Sequence, residues 1–102
     1  MFFASDNTSG VPDAILGALG RANAGFSMGY GADDLMVTVR DRLRALFEAP
    51  EVAVYLVATG TAANSLAIAT QVQPWSRVWC HKHAHIEEDE CNAPEFYAGG
   101  MK

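Results

Sequence analysis

The amino-acid sequence predicts an α/β fold, and three stretches carry the prediction. Val52-Ala53-Val54-Tyr55-Leu56-Val57 has the length and β-branching of a buried strand. An alanine-rich helical stretch follows over 62–72, and Arg77-Val78-Trp79-Cys80 then reads as a second short strand. Strand, helix, strand in that order gives a parallel pair with a right-handed crossover. A parallel sheet needs cover on both faces and usually more than two strands. The pattern therefore predicts an incomplete sheet, the front piece of a larger α/β protein.

The other elements follow in chain order. Residues 1–10 form an arm, because Ser5-Asp6-Asn7-Thr8-Ser9-Gly10 is a run of turn and cap formers without an apolar period. Residues 11–50 carry helices and a loop. Ile15, Leu19 and Ala22 mark one face of a helix over 13–23, weakened by Gly17 and Gly20. The glycine-rich stretch 24–32 is a loop in which Tyr30 is the odd bulky residue. Leu35, Val39, Leu43, Leu46 and Phe47 form the stripe of a stronger helix from Asp33 or Asp34 to Glu48, its aspartates suited to the cap and first turn. Pro50 stops it. Residues 51–102 hold the strand–helix–strand unit, with a tight turn at Thr59-Gly60-Thr61 and Pro74 closing the helix. Gly99-Gly100-Met101-Lys102 reads as a turn leading onward.

The 102 residues carry a formal net charge of -5, with no basic stripe, which argues against nucleic acid or an anionic membrane as partner. The longest apolar run, Val52 to Ala58, is far short of the roughly 20 residues of a spanning helix. No basic region precedes Phe2-Phe3, so no signal peptide is predicted. Cys80 and Cys91 make no disulfide framework and read as reduced thiols in the cytoplasm.

Two stretches can carry chemistry. In Val57-Ala58-Thr59-Gly60-Thr61-Ala62-Ala63-Asn64, a strand turns into a helix whose first amides attract phosphate. Glycine lets a ligand approach there, and the threonines add hydroxyls. The lysine of a Walker loop is absent, and an ordinary threonine-capped turn reads equally from the pattern. The second stretch, Cys80 to Cys91, holds all three histidines. On extended backbone His81, His83 and His85 share one side and Lys82 takes the other. A zinc site using Cys80, His83, His85 and Cys91 competes with one imidazole acting on a ligand as acid or base. The acidic run Glu87 to Glu90 reads as a solvated face or the opening of a further helix.

Five motifs occur together in one order and spacing. They are Phe3-Ala4-Ser5-Asp6-Asn7, Tyr30-Gly31-Ala32-Asp33, Thr59-Gly60-Thr61-Ala62-Ala63-Asn64, Cys80-His81 with Ala84-His85-Ile86-Glu87, and Asp89-Glu90-Cys91-Asn92-Ala93-Pro94-Glu95-Phe96. The ordered set resembles the low-specificity L-threonine aldolases, pyridoxal-phosphate enzymes of the aspartate-aminotransferase-like fold type I. It resembles the N-terminal third of those enzymes, within their large cofactor-binding domain.

The resemblance implies roles residue by residue. Gly60, Thr61 and Ala62 match the turn that holds the cofactor phosphate. His85 matches the imidazole that stacks on the pyridine ring and helps to remove the proton of the substrate β-hydroxyl. Ser5 and Tyr30 match residues on the substrate side, Tyr30 reaching a neighbouring subunit's site. Glu90 matches an acid beside the histidine. The reaction implied is cleavage of L-threonine or L-allo-threonine to glycine and acetaldehyde, in a homo-oligomer, a dimer or tetramer. Neither Lys82 nor Lys102 matches the family's cofactor-bearing lysine, so the resemblance implies a chain inactive alone, completed by the remainder of the same polypeptide or another chain. Another β-eliminating lyase of the same fold, or a small zinc-binding or interaction module using Cys80, His83, His85 and Cys91, is the alternative. Pro12-Asp13 departs from the His-Pro often found there, and His83 occupies a variable position.

Overall fold

Helices account for all the regular structure in a computed structural model that describes Phe3, Ser5 and residues 8–102. In order they are α1 (Asp13–Ala22), α2 (Asp34–Leu46), α3 (Gly60–Ala69), α4 (His85–Glu88) and α5 (Ala93–Tyr97). The chain divides into two compact units, Met1–Val52 and Ala53–Lys102. Ala4, Asp6 and Asn7 of the first motif lie outside the described residues.

In the first unit, α1 ends one residue before the predicted boundary, and α2 begins at its aspartates as expected. Asp33 is the N-cap of α2, its carboxylate accepting from the Met36 N–H at 2.8 Å. Beyond α2, the Glu48 N–H reaches the Ala45 carbonyl and the Ala49 N–H reaches that of Arg44. This paired closure puts Glu48 in the left-handed region at φ 52°, a place glycine usually fills. Tyr30 is also left-handed, at φ 60°, with Gly31 after it at φ 73°. The loop beside it forms a hollow of about 540 Å³ with Phe26, Met28 and Leu35 in its wall.

The second unit packs α3 on α5. Ser65, Glu90, Pro94, Ala98 and Met101 are its buried residues. Thr59 caps α3, its Oγ1 accepting from the Ala62 N–H at 3.1 Å. The helix starts at Gly60, two residues earlier than predicted, because the threonine hydroxyl serves the first turn directly. After α5, Gly99 and Gly100 at positive φ close the helix, the Gly100 N–H reaching the Glu95 carbonyl at 2.8 Å.

The predicted α/β sheet is not formed, and no described residue lies in a strand. Residues 52–57 and 77–80 form no strand, helix or turn. Tyr55, Leu56 and Trp79 are exposed. The physical reason is the missing partner: a β-branched run becomes a strand only when a neighbour takes up its N–H and C=O groups. Residues 53–57 have no backbone bond to another segment among the described residues. Lys102 accepts from the Val78 N–H at 2.8 Å and donates to the Ser76 carbonyl at 3.2 Å, an isolated parallel-type exchange that no further pair extends. The protein is thus all-helical over the described residues.

Candidate functional site

Asn64, His85 and Glu90 converge in the second unit. Asn64 stands on the second turn of α3, one helical turn after Gly60. His85 is the first residue of α4, and Glu90 follows that short helix. The Glu90 side chain is fully enclosed, whereas that of His85 is 63% exposed. Oε1 of Glu90 accepts from the Asn64 amide at 2.7 Å and lies 2.8 Å from Nδ1 of His85. Its other oxygen, Oε2, is buried without a partner.

This geometry sets charge and tautomer together. The Asn64 hydrogen bond holds the Glu90 carboxyl below the ordinary carboxylate range. Burial pushes the other way, and His85 adds a hydrogen bond and a charge that support the lowering. An ionised carboxylate only accepts, so Nδ1 of a neutral His85 carries the proton and Nε2 keeps the lone pair. The result is a proton acceptor on an open ring, oriented by a buried acid.

The chain reverses sharply after Glu90. Cys91 and Asn92 are both left-handed, at φ 50° and 59°. Asparagine tolerates this conformation and cysteine does not favour it. The two residues end one segment at the buried acid and start α5 immediately, with Pro94 in its first turn.

Gly60, Thr61 and Ala62 form the first turn of α3. The N–H groups of Gly60 and Thr61 have no acceptor among the described residues, as the geometry of a helix start dictates. That of Ala62 is taken by Thr59. A Cβ at Gly60 would meet nothing within 4 Å, so the space over the turn is open. The donor set suits an anion. Asn64 ties this helix to His85 through the single oxygen of Glu90.

The alternation expected for the histidines is overturned, because a turn at 82–83 and the start of α4 at His85 break the extended geometry. His83 pairs instead with Glu88 at 2.6 Å on the surface, and its N–H reaches Nδ1 of His81 at 3.1 Å. Cys80 and Cys91 are free and exposed. Among the described residues no three His, Cys, Asp or Glu side chains are grouped to hold a metal, so the zinc reading gains no support.

The family model for beta-eliminating lyases matches residues 3–102. The chain belongs to that family. Among curated beta-eliminating lyase relatives, it is 44% identical over 100 residues to the low-specificity L-threonine aldolase of Pseudomonas aeruginosa. It is 43% identical over 100 residues to the low-specificity L-threonine aldolase of Pseudomonas sp. strain NCIMB 10558. Each match covers 98% of this chain and 29% of the relative, so the chain spans under a third of the length of either.

Of the remaining predicted site residues, Ser5 and Tyr30 lie in the first unit. The Ser5 carbonyl accepts from the Thr8 hydroxyl at 2.7 Å, and Tyr30 is exposed on its loop. Asn64 went unassigned in the sequence beyond its place in a motif. The one signal available is an amide side chain in a helix whose other polar residues, Thr61 and Ser65, are hydroxyls. No helix among the described residues is long and apolar enough to cross a membrane.

Proposed function

We propose that this beta-eliminating lyase acts in the pyridoxal-phosphate-dependent cleavage of L-threonine or L-allo-threonine to glycine and acetaldehyde. The observation that carries the reading is the tie from the α3 start through Asn64 and Glu90 to an open His85 imidazole. The aldolase names of both relatives favour carbon–carbon cleavage over β-elimination.

The residues present fit the cofactor at two points. The open amides of Gly60 and Thr61, with the Thr61 hydroxyl, would hold its phosphate at the positive end of α3, while Ala62, whose N–H Thr59 already takes, completes the turn. The exposed His85 ring would lie against its pyridine. When bound, pyridoxal phosphate supplies an electron sink for the pair released as the Cα–Cβ bond breaks.

His85 then does the proton chemistry. Its Nε2 takes the β-hydroxyl proton, directly or through one water, and Glu90 steadies the imidazolium that results. Ser5 and Tyr30 belong to the substrate side, Tyr30 serving the site of a neighbouring subunit in a homo-oligomer. The free thiols of Cys80 and Cys91 suit a reducing cytoplasm. Lys82 and Lys102 are not assigned to carry the cofactor, so the 102-residue chain binds without turnover.

Calorimetric titration of the chain with pyridoxamine 5′-phosphate, which cannot condense with surface lysines, tests the phosphate turn. The phosphorylated compound is expected to bind at least about tenfold tighter than pyridoxamine, and Thr61→Glu to erase the difference. Equal binding of the two compounds by the wild-type chain would refute the assignment.

A further inference from the structure

We infer that Asn64 is a positioning residue for His85: by donating to Oε1 of Glu90 it holds the carboxylate where it meets Nδ1 and leaves Nε2 as the proton acceptor. The inference deepens the aldolase reading and rests on His85 being the residue that takes the proton.

The observations are geometric. The two donors meet one oxygen, Asn64 Nδ2 at 2.7 Å and His85 Nδ1 at 2.8 Å. The second oxygen of Glu90 is buried with no partner among the described residues. Among the described residues Asn64 is therefore the one anchor of the carboxylate besides the imidazole itself. The two anchors differ in kind. Asn64 is fixed on a capped helix of ten residues that packs on α5. His85 begins a four-residue helix with no side-chain cap, and its ring is mostly in solvent. A short uncapped helix frays readily, so the orienting element must be the one on α3. The electrostatics agree: the Asn64 bond is the largest influence lowering the Glu90 carboxyl.

Without Asn64, the carboxylate keeps a single partner on an exposed ring and turns away from it to recover hydration. His85 then reverts to the tautomer that imidazole favours in water, with the proton on Nε2. That form presents a donor where the reaction needs an acceptor.

The test reads the tautomer directly, without cofactor or turnover. Nitrogen-15 NMR of the histidine-labelled 102-residue chain, followed to alkaline pH until the ring signals stop changing, resolves the protonated nitrogen of each ring. His85 is expected as Nδ1–H in the wild type and predominantly as Nε2–H in Asn64→Ala. Asn64→Leu has about the same outline but no donor and is expected to behave alike. Alanine is the better helix former, so the first variant leaves α3 intact, which backbone amide spectra check. In a Glu90→Gln background, Asn64→Ala is expected to add no further change.

A wild-type His85 protonated on Nε2, or Nδ1–H retained in both Asn64 variants, overturns the inference. So does an equal effect of Asn64→Ala with and without Glu90, which would show an action not passing through the acid. Failure of the pyridoxamine phosphate titration would sink the cofactor reading and leave this spectrum unchanged, so the two failures are distinguishable.

Discussion

Glu90 holds His85 across the boundary between interior and solvent: the carboxylate is fully enclosed, the imidazole is mostly open, and 2.8 Å separates them. An ionised acid so placed selects which nitrogen of a neutral ring carries the proton and is itself closed to solvent. Its buried position is tolerable because Asn64 supplies a hydrogen bond at 2.7 Å.

This carboxylate should govern the acid limit of the fold. Its pKa is lowered in the folded chain, mainly by the Asn64 hydrogen bond, against burial, which disfavours the charged form and pushes the value up. In the window between the folded and unfolded values the unfolded chain binds more protons, so stability rises with pH there. The Glu90 contribution is full above the ordinary glutamate range of about 4.3 and is lost as pH falls through the lower folded value. Urea unfolding of Glu90→Gln across the acid range is expected to show a flatter pH dependence than the wild type. An unchanged slope would mean that Glu90 titrates alike in both states.

Removal of the caps should weaken the two long helices that carry them. Thr59→Ala deletes the acceptor for the Ala62 N–H, and Asp33→Ala deletes the one for Met36. Each is expected to cost about 1 kcal/mol in thermal or denaturant unfolding. The two substitutions lie in separate units, so each should act on its own transition if the units unfold independently.

The helices were legible in the sequence because their determinants are local. Asp33 and Thr59 act within three residues of where they stand, Asp33 as the cap its type predicts and Thr59 as the cap of a helix that starts two residues before the expected position. The Leu35–Val39–Leu43 stripe falls within α2, although Leu35 stays exposed and α2 buries no residue. The sheet was misread because strand pairing is not local. Val52–Val57 has the composition of a strand, yet composition supplies no partner, and 53–57 find none among the described residues. The site falls between these cases. His85 and Glu90 were marked by resemblance, but their bond depends on the helical turn at α4, where extended backbone was expected. Asn64 meets Glu90 across 26 residues of sequence, a separation at which no periodicity speaks.

Glu48 offers a stabilising substitution. It is left-handed at φ 52° at the end of α2, where a side chain crowds the backbone and glycine does not. Glu48→Gly is expected to raise stability by about 1 kcal/mol, the lower end of the left-handed penalty. Glu48→Ala, which keeps a Cβ, is the control and should gain little. Equal effects of the two would assign any gain to removal of the acidic group at the helix end and not to backbone strain.

The exposed aromatic surface of the second unit should drive self-association. Tyr55, Trp75 and Trp79 are each more than four-fifths exposed. Tyr55 and Val57 also line an apolar groove of about 450 Å³ beside Leu66 and Ala67 of α3. Among the described residues the adjoining backbone of 53–57 has unpaired donors and acceptors, a template for pairing with a second chain. Apolar surface of this extent seeks cover by burial, worth about 25 cal/mol per Å². Sedimentation velocity is expected to show association that grows with protein concentration. Tyr55→Lys and Trp79→Lys should each shift the distribution towards monomer by placing a charge where an interface would have to close. A wild-type chain that sediments as a monomer at every concentration would show that these rings are tolerated in water.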